Sequence, residues 1–375
     1  MSELKLSHNI IRLRHEKKLT QKELADFLGV TKASVSKWEN AQNTPDILLL
    51  PQIAAFFGVT IDELIGYEAQ LSSEQIRRCY AGLRRDFASQ PFEEARERVR
   101  DLAHRYYACY PLLLQLGVLY WNHYMLADTE EERGRTLEEA VGWCDRILEN
   151  CNDVEVCSDA LVLRSGLYLQ MGRPEETIRA LEPSAEPGRL AGQNRTLLIQ
   201  AYQMAGKLER ARSFAQTNQY LSLLDLIGDA VLYLSLYEHD LERCEETIRR
   251  VTGLLELYKL EQLHPNIAAQ FYYQAAAVYA VNGKKEKVME ALFSFERDIN
   301  VLLGAEEILL HGDSYFDLLD VWIDQLPLGS MAPRDRALIR QNILESLSLP
   351  AFDCVREDRE YQNLIRRLTN GGALC

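Results

Sequence analysis

An all-α fold is predicted, and three observations carry the prediction. From about residue 74 to residue 370 the apolar residues recur with helical period, and no run of β-branched alternation is long enough for a strand. Residues 20 to 40, TQKELADFLGVTKASVSKWEN, read as two short amphipathic helices joined by a tight turn. A unit of 33 to 34 residues, with its own helix-turn-helix punctuation, recurs from Tyr168 to about His239, and the spacing then stretches to 44 up to Gly283.

The elements follow in order. The first helix is expected from about Leu6 to Glu16, with Ile10, Ile11 and Leu13 inward. Arg12, Arg14, His15, Lys17 and Lys18 are expected to make its outer side and the following turn basic. Thr20 can cap the second helix while Glu23, three residues on, reaches back to the Thr20 amide, which is a capping box. Leu24 and Leu28 then face inward, and Gly29 suits the left-handed residue that ends a helix. Thr31 opens a third helix whose large apolar positions are only Val35 and Trp38. Its other face carries Lys32, Ala33, Ser34, Ser36 and Lys37. The loop from Ala41 to Pro45 is polar. Pro51 belongs in the first turn of a fourth helix, with the leucines before it in extended or turn form. Ile53, Ala54 and Phe57 face the core. Thr60 and Glu63 form a second capping box, opening a short helix that ends at Gly66. These boundaries predict a domain over 1–66, a linker over 67–73 and a helical-repeat domain over 74–375.

The first 66 residues resemble the phage-repressor, or Xre, type of helix-turn-helix. The residues that carry the resemblance are Leu13-Arg14, Thr20-Gln21, Leu24-Ala25, Gly29-Val30-Thr31, Val35, Trp38-Glu39-Asn40, Pro45, Ile53-Ala54, Phe57 and Leu64. The resemblance implies a five-helix DNA-binding domain. A helix anchored by two residues, with lysines and hydroxyls outward, suits a recognition helix in the major groove. Lys32, Ala33, Ser36 and Lys37 match the family's base-facing positions; a lysine can donate to guanine O6 and N7, and a methyl can pack on thymine. Gln21 and the free amides at its helix start are expected on a phosphate, as the family implies. Thr31 and Asn40 are expected at phosphates too, and Val35 and Trp38 in the core.

The repeat is marked by Tyr168-x3-Gly172, which returns as Tyr202-x3-Gly206 and, out of step, as Tyr279-x3-Gly283. Leu208-Glu209-Arg210-Ala211 returns as Leu241-Glu242-Arg243-Cys244. This resembles the tetratricopeptide repeat, a helix-turn-helix unit that stacks into an α-solenoid. Departures exist: His239 stands where the intervening copy would have Gly, and Ser235 where it would have Tyr. In the family's register the first helix of each unit lines a groove. That register places Gln193, Thr196, Gln200, Gln203, Asp229, Tyr233, Gln270 and Tyr273 there, amides and tyrosines suited to an extended peptide. The segment from Phe352 to Leu368 reads as an amphipathic capping helix. A repressor-type head on such repeats resembles, in architecture, the peptide-pheromone-responsive regulators.

Composition narrows the function. The net charge of −14 argues against a chain that coats nucleic acid. It is uneven: residues 1 to 40 hold eight Lys/Arg against five Asp/Glu, which leaves −17 on the rest. No P-loop, G-x-G-x-x-G, H-E-x-x-H or G-x-S-x-G occurs, so no catalysis, metal or cofactor is expected. The cysteines form no C-x-x-C pair and read as reduced thiols; Cys151 and Cys157 are the pair closest in sequence. No stretch reads as a signal peptide or as the ~18 apolar residues of a membrane span, so a cytoplasmic protein is expected. The expected partners are double-stranded DNA bearing a palindromic operator, a second copy of the chain and a signalling peptide. The rival reading is an interaction scaffold whose repeats dock a partner protein while the head tethers it to DNA.

Overall fold

The computed structural model describes residues 5–67, 70–185, 194–305 and 307–369. They fall into two compact units: Met1–Ser72 with Tyr106–Cys109, and Ser73–Arg105 with Tyr110–Cys375. The short segment Tyr106–Cys109 thus groups with the head, although the sequence places it in the repeats. Among the described residues no strand forms; one antiparallel bridge joins Leu309 to Met331.

The head has five helices, α1 (Leu6–Glu16), α2 (Gln21–Leu28), α3 (Lys32–Glu39), α4 (Leu50–Phe57) and α5 (Ile61–Ile65). Both expected capping boxes form: the Glu23 amide donates to Thr20 Oγ1 at 3.2 Å and the Thr20 amide to Glu23 Oε2 at 2.7 Å, with the same exchange at Thr60 and Glu63. Pro51 sits in the first turn of α4, after a 3-10 turn over Ile47–Leu49. Ile10, Leu24, Val35, Ile53 and Leu64 are fully buried and form the centre of the core. Asn9 ties α1 to the end of α5, its Nδ2 donating to the Glu63 and Leu64 carbonyls. One expectation is corrected. Arg14 is not on the outer side of α1; it is buried and paired with Glu39.

The body opens with α6 (Ser73–Ser89), α7 (Phe92–Arg105) and α8 (Tyr110–His123), followed by α9 (Glu130–Asn150), α10 (Val154–Gln170) and α11 (Pro174–Ala185). Next come α12 (Asn194–Met204), α13 (Leu208–Leu236), α14 (Leu241–Leu257), the single turn α15 (Leu260–Leu263), α16 (Pro265–Val281) and α17 (Lys285–Gly304). The chain ends with α18 (Leu319–Ile323), α19 (Arg336–Leu347) and α20 (Arg359–Thr369). Sequential helices pack on each other, α9 on α10, α10 on α11, α12 on α13, α16 on α17. The repeated Tyr-x3-Gly is the stop signal of α10, α12 and α16. Gly172, Gly206 and Gly283 adopt φ of 69°, 70° and 68°, and the amide after each donates to the carbonyl of the tyrosine four before it, at 2.8, 2.9 and 2.9 Å. Glycine enters this left-handed geometry without the Cβ clash other residues meet, which is why the motif is legible.

The tetratricopeptide register breaks at α13. A helix-turn-helix unit needs a turn between the second helix of one copy and the first of the next. Leu208–Leu236 is instead one helix of 29 residues. The stretch has no proline, and its buried seam, Tyr220, Leu223, Ile227, Ala230 and Leu234, keeps a spacing of three and four without interruption. By length and composition α13 could cross a membrane, which corrects the expectation that no stretch would; its seam lies in the core of the body.

The last loops are held by the first helix of the body. Arg77 donates to the Asp324, Leu326 and Pro327 carbonyls, Tyr80 Oη to Pro333 O at 3.1 Å and Arg84 to Ala332 O at 2.7 Å. Positions 77, 80 and 84 share one face of α6. The segment Phe352–Leu368 splits into a 3-10 turn, Pro350–Val355, and α20, whose Tyr361, Leu364 and Leu368 face inward as expected.

Candidate functional site

In the head, the capping box fixes where α2 begins and Gly29, at φ 68°, fixes where it ends. Thr31 Oγ1 accepts from the Ser34 amide at 3.1 Å and starts α3. Val35 and Trp38 anchor α3 from beneath. Thr31, Lys32, Ala33, Lys37 and Asn40 are exposed, and Ser36 is half-buried. Among the described residues the ammonium groups of Lys32 and Lys37 make no ion pair, so both remain free to donate. Asn40 lies back on its own helix, its Nδ2 donating to Ser36 O at 2.9 Å.

Beneath the exposed face is a buried network. Arg14 grips Glu39 with two bonds, Nε to Oε1 at 2.6 Å and Nη2 to Oε2 at 2.9 Å. Its Nη1 donates to Leu19 O at 2.7 Å, and Gln21 Nε2 donates to Glu39 Oε2 at 2.9 Å. Burial works to raise the Glu39 carboxyl, but the bonds from Arg14 and Gln21 and the charge of Arg14 outweigh it and hold the group below the usual carboxylate range. Gln21 is thereby locked at the first turn of α2. One of its amide protons is committed to Glu39, while its carbonyl oxygen and second proton remain.

The expected groove residues separate. Gln193 lies outside the described residues. Thr196, Gln200 and Gln203 are exposed on α12 and border neither large hollow of the body. The other side of α12, through Arg195 and Tyr202, borders a hollow of about 630 Å³ with Phe214, Asn218 and Trp322. Asp229 is exposed, and the Tyr233 ring lies tilted against Tyr237 with centroids 4.6 Å apart, with Arg243 over the Tyr237 ring. Val231, two residues from each, turns to the main cavity, and residues two apart on a helix face opposite ways. Gln270 and Tyr273 do border that cavity.

The main cavity measures about 950 Å³ and lies in the body. Asn266, Gln270, Tyr273 and Gln274 form a stripe down α16, and α17 adds Phe295, Ile299 and Leu302. The paired loops contribute Ile308, Leu310, Met331 and Arg334, and α19 contributes Ile339, Asn342 and Ile343. The loops hold each other through Leu310 N to Ser330 O at 2.9 Å and Ala332 N to Ile308 O at 3.3 Å. Tyr273 Oη donates to Ser346 O at 3.1 Å, bracing α16 on α19. His264 is also on the wall; burial pushes its pKa down, so it is neutral at pH 7, and its Nδ1 accepts from Ile267 N. Asn266 and Gln274 were passed over on the same helix as Gln270 and Tyr273, Asn342 and Arg334 lie beyond the repeats, and the wall is drawn from segments as far apart in chain order as Asn122 and Ser346. A polar stripe at i, i+4, i+8 along α16 was the available signal.

Cys151 and Cys157 are not bonded to each other as a disulfide. The Cys157 thiol donates to Cys151 O at 3.3 Å, and desolvation followed by the neighbouring thiol pushes its pKa up, which disfavours the reactive thiolate.

The head is a helix-turn-helix domain: residues 10–64 match the helix-turn-helix family. It is similar to the HTH-type transcriptional activator BcrR of Enterococcus faecalis, 40% identical over 65 residues, which is 17% of this chain and 32% of that protein. It is also similar to the uncharacterized HTH-type transcriptional regulator YqaE of Bacillus subtilis, 35% identical over 63 residues, 17% of this chain and 54% of that protein. The matched region therefore spans about a third to a half of these relatives. Over more of the chain, the structure is similar to Bacillus thuringiensis PlcR in its complex with the peptide PapR7 and DNA, at 15% identity and a TM-score of 0.32, covering 80% of this chain and 95% of that one. The apo competence regulator ComR of Streptococcus vestibularis gives 15% identity and a TM-score of 0.27, covering 88% and 99%.

Proposed function

We propose that this chain is a sequence-specific regulator of transcription that binds double-stranded DNA through α3 and senses a peptide in the main cavity of its body. The observation that carries the reading is α3 itself. Its inner side is fixed by Val35, Trp38 and the Arg14–Glu39 pair, while Lys32, Ala33, Ser36 and Lys37 are left outward at the start and middle of the helix. A rigid helix with uncommitted donors suits base readout in the major groove. Gln21, Thr31 and Asn40, at the ends of the two helices, are assigned to phosphates. Two heads are needed for useful affinity, so the chain acts as a homodimer on a palindromic operator.

The ligand reading rests on the cavity. Its volume lies within the usual range for binding sites, and its apolar wall is interrupted by amide side chains that can bond a peptide backbone. Gln270, Tyr273, Asn266 and Gln274 take this role. Thr196, Gln200, Gln203, Asp229 and Tyr233 stand elsewhere and are not assigned to it. The experiment is sequencing of random double-stranded DNA captured by the purified full-length chain. An enriched palindrome with half-sites about 34–36 Å apart, or a multiple, is expected. Capture without any enriched sequence would contradict the reading.

A further inference from the structure

We propose that the cavity takes an apolar molecule ending in a carboxylate, and that Arg334 is the group that receives the carboxylate. The proposal rests on the reading of the body as a ligand sensor and names the end of the ligand that is held.

Arg334 lies on the loop between the bridge at Met331 and the start of α19, and it borders the cavity. Its Nε donates to Asn122 Oδ1 at 3.1 Å. Among the described residues it forms no ion pair. The adjacent Asp335 is committed elsewhere: its Oδ1 accepts from the Ala337 amide at 2.9 Å and caps α19. Desolvation works against the charge of Arg334, and tyrosines, not carboxylates, oppose that effect. A guanidinium does not lose its proton in a protein, so this is a partly buried cation without a counter-ion. Such a group stays costly until an anion reaches it.

The surroundings add to the positive field. Arg84 acts on the same neighbours, Tyr80 and His123, and its Nε is buried without a hydrogen-bond partner among the described residues. His123 is neutral at pH 7, its pKa pushed down to about 4 by burial first and by the two arginines as well. The acid on the wall is Glu307, which is exposed. A ligand carboxylate at Arg334 would accept from a planar fork of donors, a charge-assisted pairing stronger than a neutral hydrogen bond. A peptide C-terminus and a fatty acid share this chemistry. The side chains of Asn266, Gln270, Gln274 and Asn342, which bond nothing among the described residues, favour the peptide.

The test is native mass spectrometry of the full-length chain with three probes: a pool of short apolar peptides with free C-termini, the same pool C-terminally amidated, and dodecanoate. The wild-type chain is expected to retain free acids about tenfold better than amides. Arg334→Gln should bring acids down to the level of amides, and Arg334→Lys should recover part of the preference. Equal retention of acids and amides by the wild-type chain would overturn the Arg334 assignment while leaving the peptide reading in place, and this comparison needs no variant to fold. An acid preference that survives Arg334→Gln would overturn it as well. Dodecanoate held through Arg334, with no peptide retained, would uphold the carboxylate site and overturn the peptide reading. Failure to retain any probe would overturn both.

Discussion

At Glu39 three parts of the head converge: Arg14 from α1, Gln21 from α2 and the carboxylate itself from the end of α3. The pair ties the end of α3 to α1 and, through Gln21, to α2. Removing the carboxylate leaves a buried, unpaired guanidinium, and breaking such a pair costs about 3–5 kcal/mol. Glu39→Ala is therefore expected to destabilise the head by that amount, read as lost hydrogen-exchange protection in peptides from residues 14 to 39 of the full chain. The pair also sets an acid limit. The folded carboxyl sits below its unfolded value, so its contribution is complete above about pH 4.3 and drains away as pH falls through the folded value. Glu39→Gln should flatten the acid end of the protection profile. Identical profiles for the two chains would remove Glu39 from the account of acid sensitivity.

At the scale of the element, α13 decides how the body is built. It carries one seam through a place where the repeat asks for a turn, and Gly228 stands inside it. A Cβ added at Gly228 would meet nothing within 4 Å, and the residue is helical. Gly228→Ala should therefore stabilise the body by about 0.5–1 kcal/mol, the ordinary gain in a helix interior, measured by urea unfolding of the full chain. A loss of stability would mean that the chain bends there and needs the glycine. The same element shows what a sequence displays and what it hides. Capping boxes at Thr20 and Thr60 and the glycine stops after Tyr168, Tyr202 and Tyr279 were legible because each is decided by neighbours within about five residues. The fused helix was not, since the repeat motif argues for a turn and only the uninterrupted seam argues against it.

For the whole molecule, legibility fell with distance along the chain. Arg14 and Glu39 are 25 positions apart and looked like surface charge and a motif residue. The cavity draws on α16, α17, two paired loops and α19, so just Gln270 and Tyr273 could be reached from the repeat register. Arg334 sits in a loop with no pattern, and its meaning comes from its forming no ion pair among the described residues, the adjacent Asp335 being turned to the start of α19. The uneven charge, +3 on the first forty residues against −17 on the remainder, was plain from the start. It fits a mildly basic reading head on an acidic body that keeps background DNA binding low. Base readout by α3 is what the proposed function stands on. The most direct measurement is the affinity of the full-length chain and of Lys37→Ala for the selected DNA site and for a scrambled site at one salt concentration. Lys37→Ala is expected to weaken the selected site by about 1–3 kcal/mol and to leave the scrambled site nearly unchanged. Equal weakening on both would make Lys37 a phosphate contact, and no preference between the two sites by the wild-type chain would contradict the claim outright.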